Sequence, residues 1–287
     1  MSQLFEALQI SENGGRTRVQ DVLGPTALLN AAEREVQPDL LEAPTLHVSP
    51  SPRSRLISLT EKESLGAEKF RFLGVRLRQM QQARSLKKLL VTSTIPEEGK
   101  SVISANLAIT LARKQRQRVL LIEGDLRRPV LAHAFGLGNL PGMSELLQQE
   151  PGPLKNLYRL EEAKIWFIPA GRPPENPLEL MQSGRLSEVL QQLAASFDWV
   201  IIDSPPILPL ADTTVWSRLS DGVLLISREG TTQKKALLRG LEALGKSNLV
   251  GVVINSCSDV DESNYYQRYS PAALANANEI ATEKLKA

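Results

Sequence analysis

Residues 88–104 read KLLVTSTIPEEGKSVIS. Leu89, Leu90 and Val91 form a continuous apolar run, the pattern of a strand buried on both faces. A short polar loop follows and ends in Gly99-Lys100-Ser101, and an apolar helical pattern then starts without a break. Strand, phosphate-sized loop and helix N-terminus, in that order, are what a P-loop requires. The helix start brings unpaired N–H groups and a partial positive charge to the loop. Gly99 lets the backbone approach a phosphate, Lys100 reaches the outer phosphates, and the Ser101 hydroxyl suits Mg²⁺. The usual pattern has a glycine five residues before Gly99, where this chain has Thr94. The motif is incomplete, and a GKS tripeptide by itself is common by chance, so the rest of the chain must decide it.

Of the 287 residues, 42% are hydrophobic, enough for a real core, and one large domain plus a tail is expected. The formal charge of +2 calls for no nucleic-acid partner. The charge is uneven, however. From Lys69 to Pro96 there are seven basic residues (Lys69, Arg71, Arg76, Arg78, Arg84, Lys87, Lys88) and no acid. Such a run is either a solvated helix face or a docking surface for an acidic partner or an anionic membrane. The single cysteine, Cys257, excludes an intrachain disulfide, fits a reducing compartment, and reads as a small, semi-buried residue. With His47 and His133 it is too little for a structural zinc site. No run approaches the ~20 apolar residues that span a bilayer, and the N-terminus lacks the basic and apolar regions of a signal peptide. A cytoplasmic protein is expected.

Three segments are anticipated: residues 1–56, 57–258 and 259–287. The first opens with a short amphipathic helix, Gln3–Ile10, stopped at Asn13-Gly14-Gly15; from about 16 to 56, spaced prolines and serines read as a linker or loosely held arm. A helix is predicted from Glu61 to about Gln82, with Phe70, Leu73, Leu77 and Met80 as its buried stripe. After the P-loop strand and its helix to about Lys114, further strands are predicted at 118–122, 165–169, 199–203, 223–227 and 250–255. Helices are predicted at 143–149, 177–196 and 234–244. Buried strands alternating with helices make an α/β fold, a mostly parallel sheet with helices on both faces.

Carboxylates just past the C-terminal ends of parallel strands lie where open α/β sheets bind ligands. Glu123-x-Asp125-x-Arg127 follows the second predicted strand, and Asp203 ends Trp199-Val200-Ile201-Ile202-Asp203 before Ser204-Pro205-Pro206. Each acid alone is equally a turn or N-cap residue. Together with the phosphate loop, on one sheet edge, they form the set that phosphoryl transfer needs. Three of the four tyrosines, Tyr265, Tyr266 and Tyr269, lie within five residues in a polar tail, outside any core periodicity. They read as exposed, or as packed on their own domain or a neighbouring subunit.

These residues together resemble the bacterial tyrosine kinase (BY-kinase) family, P-loop proteins tied to capsular and extracellular polysaccharide assembly. The likeness runs from about residue 57 to 270. It rests on Thr94–Ser101, Leu121–Arg127 and Val200–Pro206 as three nucleotide motifs, on FIPAGRPPENPLELM and FDWVIIDSPP, and on the tyrosine tail. The resemblance implies a P-loop NTPase fold and an ATP-dependent protein-tyrosine autokinase regulating polysaccharide synthesis and export. Pro96, Glu97, Glu98, Gly99, Lys100, Ser101 and Val102 would then hold ATP, with Asn255 on the adenine. Ser101, Asp125 and Asp203 would hold Mg²⁺; Lys100, Glu123, Asp125 and Arg127 would be catalytic; Tyr265, Tyr266 and Tyr269 would take phosphate. A transmembrane polysaccharide co-polymerase or activator would be the partner, at the inner face of the membrane, and the kinase would form a homo-oligomer.

The chain departs from the family in places. Glu123 stands where the second motif normally has Asp, one methylene longer, and a displacement of about an ångström can cost ~100-fold in rate. The ring-forming Glu-x-x-Arg-x-x-Arg pattern matches at Glu68 and Arg71 but has Gly74 third, so Arg76 or Arg78 would have to substitute. Partitioning ATPases carry a second lysine where this chain has Ile95, which separates it from that class. The alternative is a P-loop ATPase or nucleotide-binding scaffold of the same machinery without kinase activity.

Overall fold

Apolar runs too continuous to face water on either side occupy the middle of the sheet. In the computed structural model, β2 (Lys88–Ser93), β3 (Val119–Glu123) and β6 (Trp199–Asp203) are buried almost throughout. The structure describes residues 40, 42–113, 117–150, 155–208, 210–245 and 248–257. The helix read at Gln3–Ile10 and the tyrosines at 265, 266 and 269 lie outside them. The remaining strands are β1 (Thr45–Leu46), β4 (Tyr158–Leu160), β5 (Ile165–Ile168), β7 (Gly222–Arg228) and β8 (Leu249–Asn255). The order is β1-β4-β5-β3-β6-β2-β7-β8, with every neighbouring pair parallel except β4 and β5. Val91 pairs with Asp203, and Asp203 with Glu123, so the strand ends carrying the motifs come level.

The period of two along each strand divides the core. Leu89, Val91, Leu121 and Ile201 face a layer made by α1 (Ile57–Thr60), α2 (Leu65–Ala83) and α3 (Lys100–Ala112). Leu90, Ile122, Val200 and Ile202 face the opposite layer. Its helices are α5 (Met143–Gln148), α6 (Pro177–Gln182), α7 (Arg185–Ser196) and α8 (Asp212–Leu219), centred on Met181, Leu190 and Trp216. The short α4 (Leu131–Ala134) follows β3, and α9 (Lys234–Leu244) links β7 to β8. α3 is apolar nearly all round because it lies deepest, with Ile103 through Leu111 buried.

All six predicted strands form, within about a residue at their starts and ends. β1 and β4 were not predicted; strands of two and three residues carry no periodicity to read. The helix read as one from 177 to 196 is two, broken where Gly184 takes φ 83° ahead of α7. Met80, placed in the buried stripe of α2, is exposed, together with Phe72 and Val75. Cys257 is exposed rather than semi-buried.

The basic run is only partly a free surface. Arg78 donates to the Thr110 and Leu111 carbonyls at the end of α3, and Lys88 lies 3.5 Å from Asp221. Arg71 pairs with Glu68, and Arg76 sits over the Phe72 ring at 5.2 Å. Gly74 is buried where α2 meets α3; a Cβ there would lie 3.5 Å from Thr110 Cγ2. The third position of the Glu-x-x-Arg-x-x-Arg pattern is therefore a packing position in this chain, and Arg78 is committed to capping.

The arm read over residues 16–56 does not hold for its last part. β1 joins the sheet edge beside β4, Val48 N–H donates to Glu162 Oε2 at 2.8 Å, and Ser49 N–H donates to Phe135 O at 3.0 Å. Leu56 is 1% exposed within the α1–α3 layer. Prolines and serines dominate the composition there, yet Leu46, Val48 and Leu56 are spaced so that each reaches the core. Leu56→Ala is therefore expected to cost about 2–5 kcal/mol, the range for truncating a buried leucine, read from the denaturant midpoint. An unchanged midpoint would return this segment to the arm.

Candidate active site

The phosphate loop leaves β2 at Ser93 and enters α3 at Gly99, whose φ is 94°. A Cβ at Gly99 would come 2.3 Å from Asn255 Nδ2, so only glycine fits on both counts. Beneath the loop, Asn255 Nδ2 donates to the Glu98 carbonyl at 2.9 Å. The Glu98 side chain is fully buried; it accepts from Ile95 N–H at 2.9 Å and from the Thr232 hydroxyl. Thr232 Oγ1 in turn accepts from Arg228 N–H at 2.9 Å, and Arg228 Nη1 reaches the Glu97 carbonyl. The ends of β7 and β8 thus hold the loop from below. Two expectations change here: Asn255 does not line the cavity, and the Glu98 carboxylate points into the protein. Both brace the loop through these hydrogen bonds. Thr94, in place of the usual glycine, packs close to Gly240 of α9, where a Cβ would lie 3.3 Å from Thr94 Cγ2. The bulk that the motif gained is accommodated by a glycine in another element.

Lys100 is buried between carboxylates. Its Nζ lies 3.1 Å from Asp125 Oδ2, 4.0 Å from Asp203 Oδ2 and 3.2 Å from Ser101 Oγ. Burial alone would lower its pKa, but Asp203 and Asp125 outweigh that and raise it, so the ammonium stays charged. Asp203 is wholly buried, which pushes its pKa up, tempered by Lys100 and by hydroxyls of α3. Its Oδ1 accepts from Ser104 Oγ at 3.2 Å, while Oδ2 has no hydrogen-bond partner. A buried carboxylate oxygen without a hydrogen bond, beside a serine hydroxyl and a second carboxylate, fits the hard-oxygen chemistry of Mg²⁺. Among the described residues no group of three or more His, Cys, Asp or Glu forms a closed metal cage.

Glu123 is placed differently from its expected role. It is 1% exposed and does not line the cavity. Its Oε1 accepts from Leu131 N–H at the start of α4, and its Oε2 from Ala170 N–H at 3.1 Å. Burial raises its pKa, and these two amides oppose the rise. The extra methylene carries the carboxylate to two backbone donors, so this acid holds loops together. Asp125 does reach the cavity, and its Oδ1 accepts Arg128 N–H at 3.1 Å.

Arg127 also lines the cavity and pairs with Asp212, a residue that lay outside the sequence argument because α8 carried no readable pattern. Gly124, between Glu123 and Asp125, has no room for a side chain: a Cβ would meet Asp203 O at 2.8 Å and Trp216 at 2.9 Å. Lys100, Ser101, Val102, Asp125, Arg127 and Pro206 are among the residues that enclose a cavity of about 580 Å³, within the ~300–1,000 Å³ typical of ligand sites. Pro96, Glu97 and Gly99 supply its loop side. Glu97 has φ 67°, uncommon for a residue with a side chain.

No protein-family model matches the chain. The tyrosine-protein kinase YwqD of Bacillus subtilis (strain 168) is 34% identical over 215 residues, which is 74% of this chain and 90% of YwqD. Among solved structures, the kinase domain of the Escherichia coli tyrosine kinase ETK superposes with a TM-score of 0.66 at 27% identity, over 71% of this chain and 82% of that one. The chimerical protein CapA2B2 gives the same TM-score at 28% identity, over 79% of this chain and all of the other. The fold, the cavity at the strand ends and a likeness spanning nine-tenths of the Bacillus enzyme agree: the chain belongs to the bacterial tyrosine kinase (BY-kinase) family of the capsule and exopolysaccharide type.

Proposed function

We propose that the cavity transfers the γ-phosphoryl group of ATP to tyrosines of the chain's own tail, Tyr265, Tyr266 and Tyr269, and so regulates extracellular polysaccharide synthesis and export. The observation that carries this reading is Lys100 held between Asp125 and Asp203, with one Asp203 oxygen lacking a hydrogen bond. Lys100 lies against both acids. A bound triphosphate competes for the ammonium, and Lys100 then offsets charge on the transferring phosphoryl oxygens. That shift releases Asp125. A tyrosine phenol, pKa ~10, is protonated at neutral pH and gains from a base within reach. Asp125 accepts the phenol proton as the tyrosine oxygen bonds to phosphorus and the bond to the ADP oxygen breaks. Ser101 and the Asp203 oxygen that lacks a hydrogen bond would hold Mg²⁺, which would supply further neutralisation of the phosphates.

Asn255, the last residue of β8, touches the phosphate loop. Ten residues from there to Tyr265 reach at most ~35 Å, which allows transfer within one chain or to a neighbour in a homo-oligomer. Among the described residues no helix is long and apolar enough to cross a membrane. We place the kinase at the inner face of the membrane through a transmembrane co-polymerase or activator. Its contacts would be the N-terminal residues and the exposed face of α2, where Phe72, Val75 and Met80 accompany Arg76.

Incubating the full chain with MgATP is expected to put phosphate on Tyr265, Tyr266 or Tyr269, detected by mass spectrometry of the tail peptide. Chelation of the divalent cation, Lys100→Met and Asp203→Asn should each lower the rate by about 100-fold or more; ATP hydrolysis without phosphotyrosine would favour the scaffold instead. Glu123→Gln leaves one backbone N–H facing an amide donor, so it should cost ~1–3 kcal/mol of stability. Its loss of turnover should be much smaller than that of Asp125→Asn, and the reverse ranking would return Glu123 to the chemistry. Removing residues 1–38, which spares β1 and Leu56, should weaken capture of the kinase by its membrane partner in a pull-down. Undiminished capture would leave α2 as the contact.

A further inference from the structure

Asp212, the first residue of α8, is 2% exposed and gives both carboxylate oxygens to Arg127. Arg127 Nε lies 2.6 Å from Oδ2 and Nη2 lies 3.1 Å from Oδ1. Two parallel N–H···O bonds fix the plane of a guanidinium as well as its place, which a single ammonium contact cannot do. The hydrogen bonds also raise the pKa of Arg127.

Asp212 is itself rigidly held. The next residue, Thr213, donates its hydroxyl to Pro205 O at 2.7 Å. Trp216, one turn further on and fully buried, donates Nε1–H to Gly124 O at 3.1 Å. Gly124 N–H in turn donates to Asp203 O at 2.7 Å. α8 is therefore tied to the segments that follow both β6 and β3, the segments of Asp203 and Asp125. Arg127, by contrast, keeps 37% of its side chain exposed and faces the cavity. It is an exposed cation anchored at one end to a buried acid.

Asp125 lies only two residues from Arg127 and also acts on its charge. Yet Asp125 already serves Lys100 with one oxygen and Arg128 N–H with the other. A guanidinium without its own carboxylate would compete for that acid. We propose that Asp212 is a positioning residue of the kinase reaction. It holds Arg127 at the cavity and off Asp125, so that Asp125 stays available for the acceptor proton. Of the five guanidinium N–H groups, two are taken by Asp212, and the others can meet phosphoryl oxygens. Asp212 touches none of the reacting atoms and acts through Arg127. The inference rests on the assignment of this cavity to phosphoryl transfer.

The test is a double-mutant cycle on the full chain with Asp212→Asn, Arg127→Ala and both together. Initial rates of tail phosphorylation are followed against ATP concentration, beside binding of a non-hydrolysable ATP analogue and the melting temperature. Each single variant is expected to lower kcat by about 10- to 100-fold, with the KM for ATP moving less than about threefold, and the double variant to be no worse than the poorer single. Losses that multiply in the double variant, or wild-type kcat in Asp212→Asn, would overturn the inference. A purely structural Asp212 would lower the melting temperature and cost the same factor whether or not Arg127 is present. If Asp212→Asn does not fold, Arg127→Lys decides the question, since lysine keeps the charge but cannot form the two-bond pair. A loss matching Arg127→Ala supports the inference, and wild-type kcat overturns it. Absence of transfer by the wild-type chain would sink the cavity assignment and this inference together, whereas normal wild-type transfer with an unaffected Asp212→Asn sinks this inference alone.

Discussion

Asp203 sits at the end of a strand buried on both faces, with no solvent contact. A carboxylate there loses several kcal/mol of hydration unless a charge or donor answers it locally. Lys100 answers part of it at 4.0 Å, and Ser104 meets one oxygen. The arrangement exists because the sheet brings Val91, Glu123 and Asp203 level, and because the loop after β2 turns straight into α3. The remaining oxygen is left without a hydrogen bond. An oxygen met only by an ammonium 4.0 Å away, in so dry a place, is a cost to the resting protein and an opportunity for a bound cation.

The loop that carries Lys100 depends on support from outside itself. Its backbone includes a non-glycine residue at positive φ and a glycine with no room for a Cβ. A free chain does not favour the first of these. Glu98, Thr232, Arg228 and Asn255 hold it, and three of these belong to β7, β8 or the turn after β7. Asn255 is also the last residue of β8.

The second motif divides its charges between structure and chemistry. Glu123 gives both oxygens to backbone amides, Asp125 meets Lys100, and Arg127 is paired with an acid from a helix nearly ninety positions later. From the sequence the three charges looked alike, since each follows the same strand. Side-chain length separates them. The longer glutamate reaches back to Leu131 and Ala170, and the shorter aspartate stays at the cavity. The residues that hold this arrangement, Asp212, Thr213 and Trp216, sit in a short helix without a distinctive period, and nothing local marks them.

What the amino-acid order determines by itself is the pattern that burial imposes. Six apolar runs, their spacing, and the loop ending in Gly99-Lys100-Ser101 were enough for a parallel α/β sheet, for a phosphate site at its C-terminal edge, and for the charged residues gathered there. Those features are local, because a strand with two buried faces must be apolar throughout and a helix N-terminus must follow the loop directly. Only the tertiary structure decided that Glu98, Glu123 and Asn255 support the site from behind, that Asp212 holds Arg127, and that residues 42–56 close the sheet edge. Each of these depends on hydrogen bonds or packing between separate elements, whose direction no periodicity records. Side-chain identity is written in the chain, but which atom a side chain meets is settled only when distant strands come level.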